Sequence, residues 1–125
     1  MLAGDFYTIL SIENEPGFTK AVLELNAAHN IFSGHFPLQP VVPGVCMMQM
    51  IKELVEQLIE FPLNLVRAEE MKFLVIIDPV ANNIIEAALK YTTDDSGKIN
   101  VTASLAKDEL VHFKFKGSFT KQTAL

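Results

Sequence analysis

Tryptophan is absent from the 125 residues, tyrosine occurs twice, and cysteine occurs once, at Cys46. A lone cysteine cannot close an intramolecular disulfide, and Met1-Leu2-Ala3-Gly4-Asp5 carries no secretory pattern, so a reducing, cytoplasmic setting is expected. Basic residues are scarce as well. Ten Lys and Arg against fifteen Asp and Glu give a formal net charge of -5, which argues against a grip on phosphate backbones, and no nucleic-acid partner is expected. Long apolar runs are missing: the longest, 41–51, is about eleven residues and contains Pro and Gly, against the roughly twenty that span a bilayer. No membrane association is expected. There is no internal repeat, linker or low-complexity tract, so residues 1–125 read as a single domain. Metal-ligand spacing, a glycine-rich phosphate loop and a dinucleotide fingerprint are all lacking, and neither metal nor cofactor is expected.

What is present is apolar and patterned. Half of the residues are hydrophobic, a fifth are charged, and the mean hydropathy is +0.27. A domain of this size buries roughly two-thirds of its unfolded surface, and the apolar surplus favours a homodimer or higher homo-oligomer. Ala21, Leu23 and Leu25 alternate with polar neighbours, the period of a strand with one face on a core. Proline excludes regular helix from the loop that holds Pro37, Pro40 and Pro43. From Val45 to about Phe61, Met47, Met50, Ile51, Leu54, Val55 and Leu58 recur at three and four, which predicts the one long helix. Lys52, Glu53, Glu56, Gln57 and Glu60 are its predicted wet stripe, and its first turns, nearly all apolar, are predicted to be buried. Arg67–Ile77, Ile84–Thr93, Lys98–Lys107 and Leu110–Phe119 read as antiparallel strands, with turns at Asp94-Asp95-Ser96-Gly97 and Asp108-Glu109. The fold class is α+β, a long central helix wrapped by an antiparallel sheet.

The segment from Asn30 to Val45 concentrates the chemistry. His35 can take and give a proton near neutral pH, and the prolines around it restrict its loop. Gly44 opens the helix, so its N–H is a free donor at the positive end of the helix dipole, suited to a developing oxyanion. A lone loop His or a Pro-Gly before a helix is ordinary by itself; the two together are less so. Cys46, Met47, Met48 and Met50 cluster where the helix begins, and flexible thioethers suit either ordinary core or an acyl tunnel. Cys46 is expected to be a small buried hydrophobe. His29 is assigned to the loop, and His112 alternates onto the wet face of its strand.

Gly34-His35-Phe36-Pro37, followed by Pro43-Gly44 and a long helix, resembles the signature of the hotdog-fold 3-hydroxyacyl-[acyl-carrier-protein] dehydratases. Met71-Lys72-Phe73 and Asp78-Pro79-Val80 resemble later parts of the same pattern. The resemblance implies a hotdog fold and a hydro-lyase of fatty-acid or related acyl or polyene biosynthesis. Its substrate would be an acyl-carrier-protein or coenzyme A thioester. It also implies a site in which His35 is the base, Gly44 donates to the oxyanion, and Phe36, Pro37, Val45 and Met48 line the acyl chain. The family places Glu or Asp five residues after that glycine, acting with the His of the other subunit. Here that position is Gln49, an amide with no usable proton-transfer pKa. Gln49 is therefore read as orienting water or the substrate hydroxyl, or as beginning the wet stripe. Glu53, about 6 Å further along a helix, is too distant for direct replacement. Alternatives are a hotdog acyl thioesterase, or a weakened acyl-carrier-binding partner of an intact dehydratase.

Overall fold

The computed structural model describes residues 1–32 and 40–123. The first hairpin joins β1 (Tyr7–Glu15) to β2 (Phe18–Leu25) through Pro16-Gly17, where Gly17 takes φ 75, a conformation that favours glycine. A 3-10 turn covers Asn30–Phe32, and α1 runs Gly44–Ile59. The strands β3 (Leu63–Phe73), β4 (Ile84–Thr93), β5 (Ile99–Lys107) and β6 (Leu110–Lys121) complete the chain. They form one six-stranded sheet in the order β1-β2-β4-β5-β6-β3, and all of its named pairings are antiparallel. The predicted α+β arrangement of one long helix against an antiparallel sheet is present.

The helix starts where Pro43 can no longer obstruct it: Pro43 is the extended N-cap, and its carbonyl accepts from the N–H groups of Cys46 and Met47. It stops as Glu60 turns left-handed, φ 61, ahead of Pro62. Its core face is Cys46, Met47, Met50, Ile51, Leu54 and Val55, packed with Leu23, Ile85, Leu89, Val101, Leu105, Phe113, Phe115 and Phe119 from the sheet. Burial of that face, at roughly 25 cal/mol per Å² of apolar area, is what fixes the helix to the sheet. At Asp94 the turn is closed by its own side chain, whose Oδ1 accepts from the N–H groups of Ser96 and Lys98. Gly97, the fourth residue of that turn, has φ 86. At Gly117 a side chain would collide with the backbone carbonyl of Arg67, so only glycine lets β3 approach β6 this closely.

Four expectations require correction. The third strand was expected at Arg67–Ile77, but it runs Leu63–Phe73; Leu74–Ile77 leaves the sheet, and the Ile77 carbonyl instead accepts from the Val42 N–H ahead of the helix. Val45, expected in a buried first turn, is 76% exposed. Glu53, assigned to the wet stripe, is 3% exposed, because four donors converge on it. His112, assigned to a wet face, is 1% exposed. The pairing of Val111 with Ala106 and of Phe113 with Leu105 leaves His112 as an extra residue, and such a bulge re-aims a side chain that strict alternation would send outward. Its Nδ1 lies 3.0 Å from the Val75 carbonyl. That oxygen can only accept, so Nδ1 carries the hydrogen.

Candidate functional site

The start of α1 brings the helical candidates together. Gly44 is N1, and its N–H and that of Val45 have no acceptor among the described residues, nor does any side chain cap the helix. Val45, Met48, Gln49 and Lys52 follow at helical spacings of three and four and share a face. That face is the less buried one: Val45 is exposed, and Met48, Gln49 and Lys52 are half-buried, whereas Cys46, Met47, Met50 and Ile51 point into the core. At its start the helix thus has two donors unpaired among the described residues, beside a face that carries Val45, Met48, Gln49 and Lys52. Burial pushes the Cys46 thiol upward from its ordinary range, which keeps it protonated and a poor nucleophile. His35, Phe36 and Pro37 lie outside the described residues. His29 lies in the loop as expected, its Nε2 3.1 Å from Asp5 Oδ2 and its ring against Phe6.

Gly44 has a second reason to be glycine. A Cβ there would lie 2.8 Å from a ring carbon of Phe73, and that ring is itself stacked on Phe113 with centroids 4.9 Å apart. Phe73 is half exposed and can give way in part, so Gly44→Ala should cost about 1–2 kcal/mol in denaturant unfolding. Pairing it with Phe73→Leu should recover most of that loss. Undiminished destabilisation in the double variant would show that the cost does not arise from the ring.

The residue that sequence reasoning set aside is Glu53. Its Oε2 accepts from Leu2 N–H at 2.8 Å and from Gln49 Nε2 at 2.9 Å. Its Oε1 accepts from Ala3 N–H at 2.8 Å and from the Tyr7 hydroxyl at 3.1 Å. Burial pushes this carboxyl up, but the Leu2 N–H, the Gln49 amide, the Ala3 N–H and the Tyr7 hydroxyl together hold it below the usual carboxylate range. Tyr7, buried and facing that charge, is held well above its ordinary value and stays a donor. The sequence did carry a signal for the pair: Gln49 and Glu53 stand at i and i+4. Their other partners are separated from Glu53 by 46 to 51 positions, beyond the reach of any local pattern. Among the described residues no group of three His, Cys, Asp or Glu could hold a metal ion, and no helix is long and apolar enough to cross a membrane.

The family model of the ApeI-like dehydratases, described as ApeI dehydratase, matches residues 11–113. The chain belongs to the ApeI-like dehydratase family. Among solved structures it is similar to the dehydratase heterocomplex ApeI:P from Xenorhabdus doucetiae, at 21% identity and TM-score 0.67, covering 91% of this chain and 97% of that one. It is similar also to an uncharacterized protein of Pyrococcus horikoshii, at 16% identity and TM-score 0.66, covering 94% and 83%. A third similar structure is a proposed thioesterase, a phenylacetic acid degradation-related protein of Ralstonia eutropha JMP134. It is 14% identical with TM-score 0.61, covering 90% of this chain and 83% of that one. At these identities the likeness shows the fold, which is the hotdog fold. No curated protein matches the sequence. Membership of this family makes the chain a hotdog-fold relative of the ApeI dehydratase.

Proposed function

We propose that this member of the ApeI-like family is a hydro-lyase that removes water from a 3-hydroxyacyl thioester of acyl carrier protein or coenzyme A, in the cytoplasm. The family match over residues 11–113 carries the reading, and the N–H groups of Gly44 and Val45, unpaired among the described residues, agree with it. In this mechanism the thioester carbonyl accepts from the Gly44 N–H. His35 takes a C2 proton, and the electron pair moves onto the carbonyl oxygen as an enolate, where a preorganised donor is worth about 3 kcal/mol. As the carbonyl re-forms, the C2–C3 double bond closes, the C3–O bond breaks, and His35 returns the proton to the leaving hydroxyl, which departs as water. Gln49 holds that hydroxyl, and Phe36, Pro37, Val45 and Met48 line the acyl chain.

The working unit in this reading is a dimer. Strand β3 stands at the edge of the sheet, with no strand paired to its outer side among the described residues. Leu65, Val66, Met71 and Phe73 on it, and Leu74, Val75 and Ile76 after it, are exposed. An open edge beside an apolar strip of this kind is resolved by strand addition across a two-fold axis. A homodimer is the simplest occupant. A related hotdog chain is the other, since the Xenorhabdus doucetiae dehydratase is a heterocomplex. Light scattering should give twice the 13.9 kDa chain mass, and Leu74→Lys with Ile76→Lys should shift it to the monomer. A monomeric wild type would remove the homodimer.

The reaction is tested by incubating the protein with 3-hydroxyacyl and acyl thioesters of both carriers and weighing the products. Loss of water from the 3-hydroxyacyl thioester is the expected result. Free acid would establish hydrolysis at the same oxyanion donors instead, the thioesterase reading. Binding without either product would leave a carrier-binding partner of an intact dehydratase.

A further inference from the structure

The Glu53 cluster lies outside the reaction scheme, yet it touches the one amide that the scheme uses. We propose that Glu53 is a positioning residue: by holding Gln49 through its amide nitrogen, it turns the Gln49 carbonyl oxygen outward as a fixed acceptor for a ligand O–H, the hydroxyl of a 3-hydroxyacyl thioester. The identity of that ligand rests on the function proposed above; the orientation of the amide does not.

The orientation follows from donor and acceptor chemistry. A glutamine side chain has one donating end and one accepting end, and an ionised carboxylate only accepts. With Gln49 Nε2 2.9 Å from Glu53 Oε2, the amide nitrogen must face Glu53 and Oε1 must face away. Glu53 cannot turn to release it. Each of its oxygens already takes two donors, from Leu2 and Gln49 on one and from Ala3 and Tyr7 on the other, which fills the roughly four lone-pair sites of a carboxylate. Two of those donors are backbone N–H groups of the N-terminal arm, so the arm, the first strand and the helix brace one carboxylate.

The freed end is the functional one. Gln49 Oε1 has no donor among the described residues, and it sits on the face shared with Val45 and Met48. A fixed acceptor selects for a ligand that brings its own hydrogen. A thioester carbonyl brings none and is served instead by the N–H groups at the helix start, whereas a 3-hydroxyl brings one. The site should therefore distinguish a 3-hydroxyacyl chain from the same chain without the hydroxyl, and Glu53 should set that preference without touching the ligand.

The test uses the full chain and two probes, the N-acetylcysteamine thioesters of 3-hydroxybutyrate and butyrate. In wild type, one Gln49 side-chain amide proton is expected to resonate well downfield of a free glutamine amide and to exchange slowly. In Glu53→Gln it should move to the free position. The hydroxyl preference, read as the ratio of the two dissociation constants, should fall about tenfold in Glu53→Gln, the worth of one hydrogen bond. Butyrate thioester binding should stay unchanged. Glu53→Asp, which keeps the charge, should recover part of the preference. A wild-type Gln49 resonance at the free position overturns the inference, and that reading needs no variant to fold. A held amide with no hydroxyl preference overturns the acceptor role. Preference for the hydroxyl with no water lost from it would sink the dehydratase reading while leaving this inference intact.

Discussion

Gln49→Glu is expected to speed dehydration of a 3-hydroxyacyl thioester by about 10- to 100-fold, taken from the lower part of the usual general acid–base range. It is also expected to weaken the fold as pH rises. The new carboxyl group would replace an amide that now donates to Glu53 Oε2 at 2.9 Å, so two carboxylates would share one small space. Like charges at that distance cannot both ionise cheaply, and the pair should hold one proton well above the ordinary carboxylate range. That proton makes the group at position 49 a general acid for the leaving hydroxyl, a proton transfer that an amide cannot make. The sign of the stability effect follows from the same proton. A carboxyl whose folded pKa is raised loses folded-state stability as pH climbs from its unfolded value, about 4.3, through the raised one. The variant should thus be close to wild type in mild acid and progressively weaker above it. Dehydration followed from about pH 6 to 9, around the titration of His, and denaturant unfolding followed from about pH 4 to 9 check the two halves. A folded variant that is no faster anywhere in that range would sink the role given to position 49. Adding Glu53→Gln should relieve the destabilisation at high pH, because only one carboxylate then remains.

Glu53→Ala is expected to cost about 3 kcal/mol or more, since it strands several donors at a buried position instead of removing one isolated bond. The Leu2 and Ala3 N–H groups, the Tyr7 hydroxyl and the Gln49 amide would all lose their acceptor. Tyr7→Phe removes one donor and should cost about 1 kcal/mol. The pH dependence runs opposite to that of Gln49→Glu. The folded state holds the Glu53 pKa below its ordinary value. Its contribution is therefore complete above the unfolded pKa and is lost as pH falls through the folded one. The gap between wild type and Glu53→Ala should be constant near neutrality and narrow in acid, below about pH 4. A gap of a few tenths of a kcal/mol at pH 7, or one that widens on acidification, would show that the cluster does not stabilise the fold.

Much of the fold was legible because it is written in short-range pattern. The alternation at Ala21, Leu23 and Leu25, the three-and-four spacing from Met47 to Leu58, and the Asp94 turn each need only neighbouring residues. Pro43 and Pro62 bracket the helix for a reason local to the backbone. The same spacing from Met47 to Leu58 placed Gln49 on the long helix that Gly44 opens, and α1 does run Gly44–Ile59.

Tertiary structure decided the remainder. Glu53 falls on the polar stripe of α1 with Lys52, Glu56, Gln57 and Glu60, so periodicity sends it to water. It is buried because the N-terminal arm and Tyr7, more than forty residues away in sequence, deliver donors to it. His112 alternates outward until the register of β6 against β5 inserts an extra residue and turns it inward. Val45 and Ile76 look like core in the sequence yet lie exposed, at 76% and 59%, because hydrophobicity states only that a surface seeks cover and not whether the same chain supplies it. Composition and spacing determined the elements and the motif, since those depend on contacts a few residues apart. Strand order, which leaves β3 at an open edge, and the four-donor carboxylate that aims Gln49 depend on contacts between distant segments, and only the folded chain brings those together.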